Sequence, residues 1–206
     1  MGLLNLLIRD PVTFILLAIP LLYSIIVHEL AHGWVAYRMG DPTAKMQGRL
    51  TLNPLSHLDP IGTLMLFVFG FGWAKPVPVN LGNIRDARKG MILVSSAGII
   101  ANLIFAFLGV LIFRLLSPSG ALGTLLYYFT QINIILAAFN LIPIPPLDGS
   151  KILMGFLPER YQYGLARLEP YGFFIIIALL FLGALNPLID LFRWIILAVI
   201  NLFLPS

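Results

Sequence analysis

His28, Glu29 and His32 form an H-E-x-x-H sequence, whose spacing can place two histidines on one zinc ion. In a helix the two imidazoles lie one turn apart on the same face, so both can ligate Zn²⁺. Glu29 lies about 100° around the helix from His28, within reach of a water at such a site as a general base. The spacing is typical of metalloproteases, although a chance cluster of buried polar groups can share it.

The residues before this motif place it inside a membrane. Residues 11–27 carry no charge, and the whole chain is 59% hydrophobic and only 11% charged, with a mean hydropathy of +0.95. Ionisable groups at membrane depth are costly and therefore mark a functional site by default. The motif thus predicts metal chemistry within the bilayer.

Long uncharged runs predict the remaining membrane spans. They cover residues 91–113, 115–147 and 171–189, and a spanning helix needs about 20 apolar residues. We predict an all-α polytopic membrane protein with about five transmembrane helices. Their expected positions are 11–40, 90–115, 122–142, 171–184 and 188–204. The first of these is expected to be a retained helix and not a signal peptide.

Two kinds of irregular segment are also expected. Residues 60–74 are uncharged but short and glycine-containing, which favours a re-entrant segment over a full crossing. Residues 46–52 alternate in polarity, and residues 73–80 contain Pro76 and Pro78, so both segments are predicted to be extended. We therefore expect short membrane-associated β-strands beside the helices.

The distribution of basic residues predicts the orientation. If 60–74 does not cross, ten of the thirteen Lys and Arg residues lie in loops 38–89 and 149–170. The positive-inside rule then places these loops in the cytoplasm, and His28 and His32 in the cytoplasmic half of the first span. The basic residues form no stripe, so nucleic-acid binding is not expected.

Asp148 is the best candidate for a third metal ligand, which a catalytic zinc site usually needs beside a water. The chain has no cysteine, which leaves nitrogen and oxygen donors. Asp148 ends the longest uncharged run after three prolines at 143, 145 and 146. Prolines there prevent a regular helix, and irregular backbone at membrane depth is tolerated only where it lines a cavity. A helix cap after the proline turn is the alternative role for Asp148.

The second motif carries a family resemblance. Asn140–Gly149 spells N-x-x-P-x-P-x-x-D-G, and with His28–His32 it resembles the site-2 protease family of intramembrane zinc metalloproteases. Gly98–Asn102 is similar to the family's G-P-x-x-N motif, with Ile99 where the family often has proline. Two segments also resemble loops of bacterial members, at residues 51–63 and 72–80.

The resemblance implies a zinc endopeptidase that cleaves transmembrane helices of single-span, membrane-anchored substrates within the lipid bilayer. It implies one Zn²⁺ per chain on His28, His32 and Asp148, with Glu29 activating water. We therefore expect a multi-pass protein of the plasma or inner membrane, and the distribution of basic residues predicts that its active site lies toward the cytoplasm. The alternative is a membrane metal-binding or metal-transport protein, which would need the same ligands but not Glu29.

Asn102 and Asn140 are both candidates to stabilise an oxyanion or hold the substrate backbone, and the sequence does not decide between them. Either can instead hydrogen-bond between helices. We expect one domain over residues 1–206, with a catalytic core at about 11–157 and a C-terminal helical hairpin at about 171–204. A PDZ-like insertion and a C-terminal nucleotide-sensing domain are not expected. The oligomeric state is not predicted.

Overall fold

A computed structural model describes residues 3–70 and 72–204, and its regular secondary structure is helical throughout these residues. Two short 3-10 turns, Pro54–Ser56 and Leu81–Asn83, lie between the helices. The α-helices are α1 (Leu3–Arg9), α2 (Pro11–Arg38), α3 (Thr43–Met46), α4 (Pro60–Phe69), α5 (Ala87–Leu116), α6 (Gly120–Asn140), α7 (Asp148–Phe156), α8 (Glu159–Ala166), α9 (Glu169–Phe181) and α10 (Asn186–Phe203).

Four of these helices, α2, α5, α6 and α10, are long and apolar enough to cross a membrane. Helices α8 and α9 form a pair bent by 64°, which gives a fifth span if the pair is counted as one. The predicted all-α polytopic class is therefore confirmed. The chain is a multi-pass membrane protein.

Helix α2 begins where the sequence predicts. Asp10 caps it by accepting a hydrogen bond from the Thr13 backbone N–H at 3.0 Å, and Pro11 occupies the first turn, where its missing N–H costs nothing. The helix ends at Arg38, two residues before Gly40, which has a φ of 107° that favours glycine. The start and end of α2 set the depth of the H-E-x-x-H turn.

Small residues bring the central helices together. Ala106 of α5 and Ala137 and Ala138 of α6 are completely buried, and Gly109 lies so close to Thr130 that a Cβ would overlap the hydroxyl. Helix packing in membranes depends on such small side chains, because apolar burial alone does not favour helix contact in lipid. Helix α10 covers the same core with its buried isoleucines, Ile196 and Ile200.

The C-terminal ends of α5 and α10 lie together. Arg114 donates hydrogen bonds to Asn201 Oδ1 at 2.6 Å and to the Leu204 carbonyl, so α10 runs parallel to α5. Gly172, near the start of α9, contacts Pro145, and Leu185, just after α9, packs on Ile142. Helix α9 therefore packs beside the loop between α6 and α7, and α10 packs along α6.

Residues 60–73 fold back on themselves. The ten-residue helix α4 ends at Gly70, whose φ of 81° turns the chain, and residue 71 lies outside the described residues. Gly72 then packs against Leu66, and Gly62 lies against the Trp73 carbonyl without room for a Cβ. The chain thus returns after α4 to the first turn of that helix, and a re-entrant course for this segment stays a prediction.

The prediction of short β-strands is wrong. The described residues contain no strand, and the only ladder contact among them is an isolated antiparallel bridge between Leu58 and Ala74. Pro76 and Pro78 have no N–H to donate to a neighbouring strand, and the N–H of Val77 between them donates to a side chain instead. An extended segment with these prolines cannot form a regular ladder.

The alternating segment 46–52 is also not a strand. It follows the single turn of α3 as a loop, and its Leu50 side chain packs closely against Gly33 of α2. Its neighbour Arg49 is buried and donates to the Lys75 carbonyl at 2.7 Å. The alternation does not match burial, since Met46 is 80% and Leu52 52% exposed, and so it indicates no pleated sheet.

Asp41 joins the end of α2 to the residues before α5. Its completely buried carboxylate accepts hydrogen bonds from the Asn80 N–H at 2.7 Å, the Asn83 side-chain amide at 2.7 Å and the Thr43 N–H at 3.1 Å. Burial raises the pKa of Asp41, but the hydrogen bonds from Thr43, Asn83 and Asn80 outweigh this and hold the pKa below its ordinary value. The ionised carboxylate thus anchors segment 73–80 at its far end.

The folded-back segment provides a test of close packing. Gly62→Ala should lower the free energy of unfolding by about 1–3 kcal/mol, because the new methyl group overlaps the Trp73 carbonyl. Gly164→Ala on α8 is the matched control, since nothing lies within 4 Å of its Cβ position and alanine favours a helix. Thermal unfolding in detergent should show a lower midpoint for Gly62→Ala alone, and equal midpoints would contradict the tight return.

Candidate metal centre

Helices α2 and α7 bring His28, His32 and Asp148 to one point. The two histidine Nε2 atoms lie 3.0 Å apart, and Asp148 Oδ2 lies 3.1 Å from the first and 3.2 Å from the second. All three residues are buried, with at most 8% of their surface exposed. Each presents one atom that can ligate a metal.

Hydrogen bonds on the far side of each ring fix the histidine tautomers. His28 Nδ1 lies 2.5 Å from Asn102 Oδ1, and His32 Nδ1 lies 2.7 Å from the Val94 carbonyl oxygen. Since both oxygens only accept hydrogen bonds, each Nδ1 must donate. In the neutral rings both Nε2 atoms then carry the lone pair that a metal requires.

A buried amide network explains why Asn102 presents its oxygen to His28. Asn133 donates to the Phe129 carbonyl and to Ser24 Oγ, both at 2.8 Å, which turns its own oxygen toward Asn102. Asn102 donates to that oxygen at 2.8 Å, so its remaining oxygen faces His28. The backbone carbonyl of Phe129 thus determines the direction of every hydrogen bond up to the histidine.

Three acceptor atoms therefore face one another in a buried site. Among residues 3–70 and 72–204, Asp148 Oδ2 has no hydrogen-bond partner, because its two short contacts to the histidine nitrogens lack hydrogen-bond geometry. A cation at their centre resolves this repulsion. Ligand atoms about 2.0–2.2 Å from a tetrahedral zinc lie about 3.3 Å apart, close to the observed separations. The residues fit zinc, with a fourth position left for another ligand.

Gly98 of α5 makes room for this site. A Cβ at residue 98 would lie 2.5 Å from His32 Nε2 and 2.6 Å from His28 Nε2, at the point where the ligand atoms converge. Asn102 lies one helical turn later on the same helix and contacts His28. The spacing of Gly98 and Asn102 thus places an open space and a hydrogen-bond acceptor beside the same histidine.

The loop after α6 delivers Asp148. Helix α6 ends at Asn140, and α7 begins at Asp148 itself, so the carboxylate stands at the start of a new helix. Gly149 lies directly on the Leu141 carbonyl, where a side chain would not fit, and Ser150 Oγ donates to the Leu147 carbonyl at 2.7 Å. These contacts fold the loop tightly enough for Asp148 to reach α2.

Glu29 shares a cavity with the metal ligands. The cavity, which we call the central cavity, has a volume of about 550 Å³ and is lined by His28, His32, Glu29, Val77, Asn140 and Asp148, among others. Glu29 Oε2 accepts a hydrogen bond from the Val77 N–H at 2.8 Å. Segment 73–80 therefore forms one wall of the cavity and orients the carboxylate.

The two asparagine candidates occupy different positions. Asn102 is only 1% exposed, and its amide is engaged with His28, Asn133 and the Ser24 carbonyl. Asn140 lines the central cavity and donates one hydrogen bond to the Leu136 carbonyl at 3.0 Å. The structure therefore places Asn102 behind a ligand and Asn140 beside the space for a substrate.

Sequence reasoning missed Ser24 and Asn133, both completely buried. Ser24 lies one turn before His28 on α2, and Asn133 lies on α6 seven residues before Asn140, about two turns along the same face. The sequence could have indicated both residues, because each is a polar residue at helical spacing from a predicted site residue, His28 or Asn140.

Comparison with known proteins identifies a family. The model of peptidase family M50 matches residues 115–183. The protein named "Putative zinc metalloprotease YwhC" from Bacillus subtilis is 45% identical over 172 residues, covering 79% of this chain and 78% of its own. No solved structure gives a significant match.

More distant relatives carry similar names. The protein named "Putative zinc metalloprotease Rip2" from Mycolicibacterium smegmatis is 35% identical over 182 residues, covering 84% of this chain and 69% of its own. The zinc metalloprotease MJ0392 of Methanocaldococcus jannaschii is 27% identical over 155 residues, covering 75% of this chain and 38% of its own.

The hydrogen bond between Asn102 and His28 predicts a ranked effect on zinc affinity. Asn102→Leu has a similar size but no acceptor, so zinc affinity should fall about 10–100-fold. Asn102→Asp should lose less zinc affinity than Asn102→Leu, because its carboxylate still accepts a hydrogen bond from His28 Nδ1 and so keeps the lone pair on Nε2. Competition with a chelator measures both affinities, and equal losses would show that the acceptor does not matter.

Proposed function

Because this chain belongs to peptidase family M50 and is a membrane zinc protease, we propose that it is an endopeptidase that cleaves transmembrane helices of membrane-anchored proteins. The observation that most supports this is the central cavity, in which three metal-ligating residues and Glu29 meet among membrane-spanning helices. A peptide bond must reach this cavity within the bilayer.

In this proposal His28, His32 and Asp148 hold one zinc ion. The two neutral imidazoles and one carboxylate leave a net charge of +1 on the bound metal. Bound zinc supplies Lewis acidity, which polarises a peptide carbonyl and acidifies water. Burial of the ligands keeps competing water away from this charge and strengthens its effect.

Glu29 is the general base in this proposal. Its carboxylate takes a proton from the attacking water and delivers it to the nitrogen of the leaving amine, so no proton is left over. The Val77 N–H holds Oε2 at 2.8 Å and leaves Oε1 as the oxygen that can move the proton. Glu29 is thus oriented by backbone and not by another titrating side chain.

Asn140 is the candidate for contact with the substrate. Its side chain lines the central cavity, and within the part of the chain that the structure describes only one of its two N–H groups has a partner, the Leu136 carbonyl. The second N–H can donate to the oxyanion or to a substrate carbonyl. Asn102 acts through His28, because its amide is already satisfied behind the ring.

A substrate helix must unwind before cleavage, since its carbonyls are occupied by internal hydrogen bonds. We propose that the unwound stretch lies along segment 73–80, which forms a wall of the central cavity. Pro76 and Pro78 have no backbone N–H, so this wall has few hydrogen-bond donors for a substrate. Its backbone carbonyls can accept hydrogen bonds from the N–H groups of the unwound substrate. In this proposal the active site and the helices around it belong to a single domain.

Removing the Glu29 charge tests the proposed chemistry. Glu29→Gln should lower the cleavage rate of a reconstituted single-span substrate by at least about 100-fold, because the general base is lost, while zinc content stays the same. A chelator should abolish cleavage by the unchanged protein. Both effects are read from product bands in proteoliposomes, with bound zinc measured per chain.

Glu159→Gln is the matched control, since Glu159 is exposed on α8 and pairs only loosely with Arg88 at 3.9 Å. It should cleave like the unchanged protein. Cleavage by Glu29→Gln at the control rate would refute the mechanism. Zinc transport into vesicles without cleavage would instead favour a metal-transport protein.

The proposed orientation places the central cavity toward the cytoplasm. The chain lacks cysteine, so single cysteines report the side of the membrane directly. Met46→Cys, 80% exposed beside the basic loops, should react with an impermeant thiol reagent only from the cytoplasmic face. Ser119→Cys, between α5 and α6, should react only from the opposite face. Labelling of both from one face would refute the orientation.

A further inference from the structure

Lys151 places a positive charge in the central cavity that the chain itself does not neutralise. The residue lines the cavity together with the metal ligands and Glu29, and among residues 3–70 and 72–204 no other lysine or arginine does so. It is half-buried, and within the same residues its side chain has no hydrogen-bond or ion-pair partner. The proposed mechanism gives this charge no role.

Helix α7 carries Lys151 one turn beyond Asp148. Three residues separate the two, which is about 4.5 Å of helical rise and about 60° around the helix, so both lie on the side of α7 that lines the cavity. The ammonium group stands on a flexible four-carbon stem. Since an extended peptide advances about 3.3 Å per residue, Lys151 can meet a substrate side chain within about three residues of the bond at the metal site.

The carboxylates that line the cavity do not pair with Lys151. Asp148 Oδ2 faces the two histidine Nε2 atoms, and Glu29 Oε2 accepts from the Val77 N–H. Glu169 is the remaining acidic residue of the cavity lining in the described part of the chain, but it is exposed at the start of α9 and forms no ion pair there. The ammonium group is therefore free to pair with an anion that enters.

Apolar side chains around the cavity strengthen the field of this charge. They come from segment 73–80, α5, the loop after α6 and α7, and include Val77, Val94, Leu147 and Met154. A cleft with apolar walls focuses the field of a charge, because less water is present to screen it. An unpaired charge in such a place is costly, and an anionic group that pairs with it relieves that cost.

We propose that Lys151 selects substrates that carry an aspartate or glutamate within about three residues of the cleaved bond. This inference rests on the proposed function, because it names what the cavity accepts. The substrate carboxylate pairs with the ammonium group in a charge-assisted hydrogen bond. Lysine and arginine are common at the cytoplasmic ends of membrane helices, and Lys151 repels them. The same charge therefore favours a few substrates and rejects many others.

A series of single-span substrates that differ at one residue tests this selection. Asp, Asn and Lys are placed in turn at each of the three positions on either side of the cleaved bond, and cleavage is measured in proteoliposomes. At one of these positions or more, the Asp substrate should be cleaved at least about tenfold faster than the Lys substrate, with Asn between them. Equal rates at every position would overturn the selection alone. No cleavage of any substrate would refute the proposed function as well.

Reversing the charge at residue 151 should reverse the preference. Lys151→Glu should cleave the Lys substrate faster than the Asp substrate, Lys151→Gln should cleave both alike, and Lys151→Arg should keep the preference for Asp. Arg160→Glu is the matched control, since it makes the same change of charge on an exposed residue of α8 outside the cavity lining. A preference that ignores the charge at residue 151, or that Arg160→Glu changes equally, would overturn the proposal.

Binding without turnover separates selection from catalysis. In the Glu29→Gln background, a fluorescent Asp substrate should bind more tightly than the matching Lys substrate, and adding Lys151→Glu should reverse this order. Bound zinc per chain reports whether the metal site of each variant is intact. An order of affinities that stays the same in a zinc-bound Lys151→Glu variant would overturn the proposal, even if cleavage of both substrates continues.

Discussion

The structure depends on the convergence of three electron-rich atoms, the Nε2 atoms of His28 and His32 and the Oδ2 atom of Asp148, within about 3 Å of one another. Without a cation this arrangement is repulsive, and the protein holds it together in an interior where water cannot screen it. Two features of other elements are needed to accommodate this arrangement. Gly98 leaves the converging atoms free of side chains, and the proline-rich loop carries Asp148 to α2.

Hydrogen bonds behind the ligands make this convergence specific. The direction of the amide network is fixed at the Phe129 carbonyl, which has no alternative but to accept, and the order passes through Asn133 and Asn102 to His28. In a membrane interior each of these polar groups would be expensive if unpaired. Because every member has a partner, the network stabilises α2, α5 and α6 against one another and selects the tautomer that binds metal at the same time.

The sequence predicts the chemistry of the site better than its surroundings. Spacing within α2 and the proline-interrupted approach to Asp148 predict the three residues that the structure brings together, because those patterns depend on local geometry. The role of Asn102 could not be assigned, since a helical polar residue gives no sign of which neighbour it meets. The predicted strands failed for a related reason, because polarity alternation and extended proline segments do not reveal whether the N–H of Val77 pairs with backbone or with Glu29. The course of α9 also depends on contacts distant in sequence, such as that of Gly172 with Pro145.

The wall of the central cavity is held at both ends before any substrate arrives. At one end the Lys75 N–H donates to the His57 carbonyl at 2.8 Å, and at the other the Asn80 N–H donates to Asp41 at 2.7 Å. Between these anchors two prolines have fixed φ angles. Little conformational freedom is left in this wall, so most of its ordering entropy was lost during folding and not during binding. A peptide that enters the cavity therefore has mainly its own disorder to overcome.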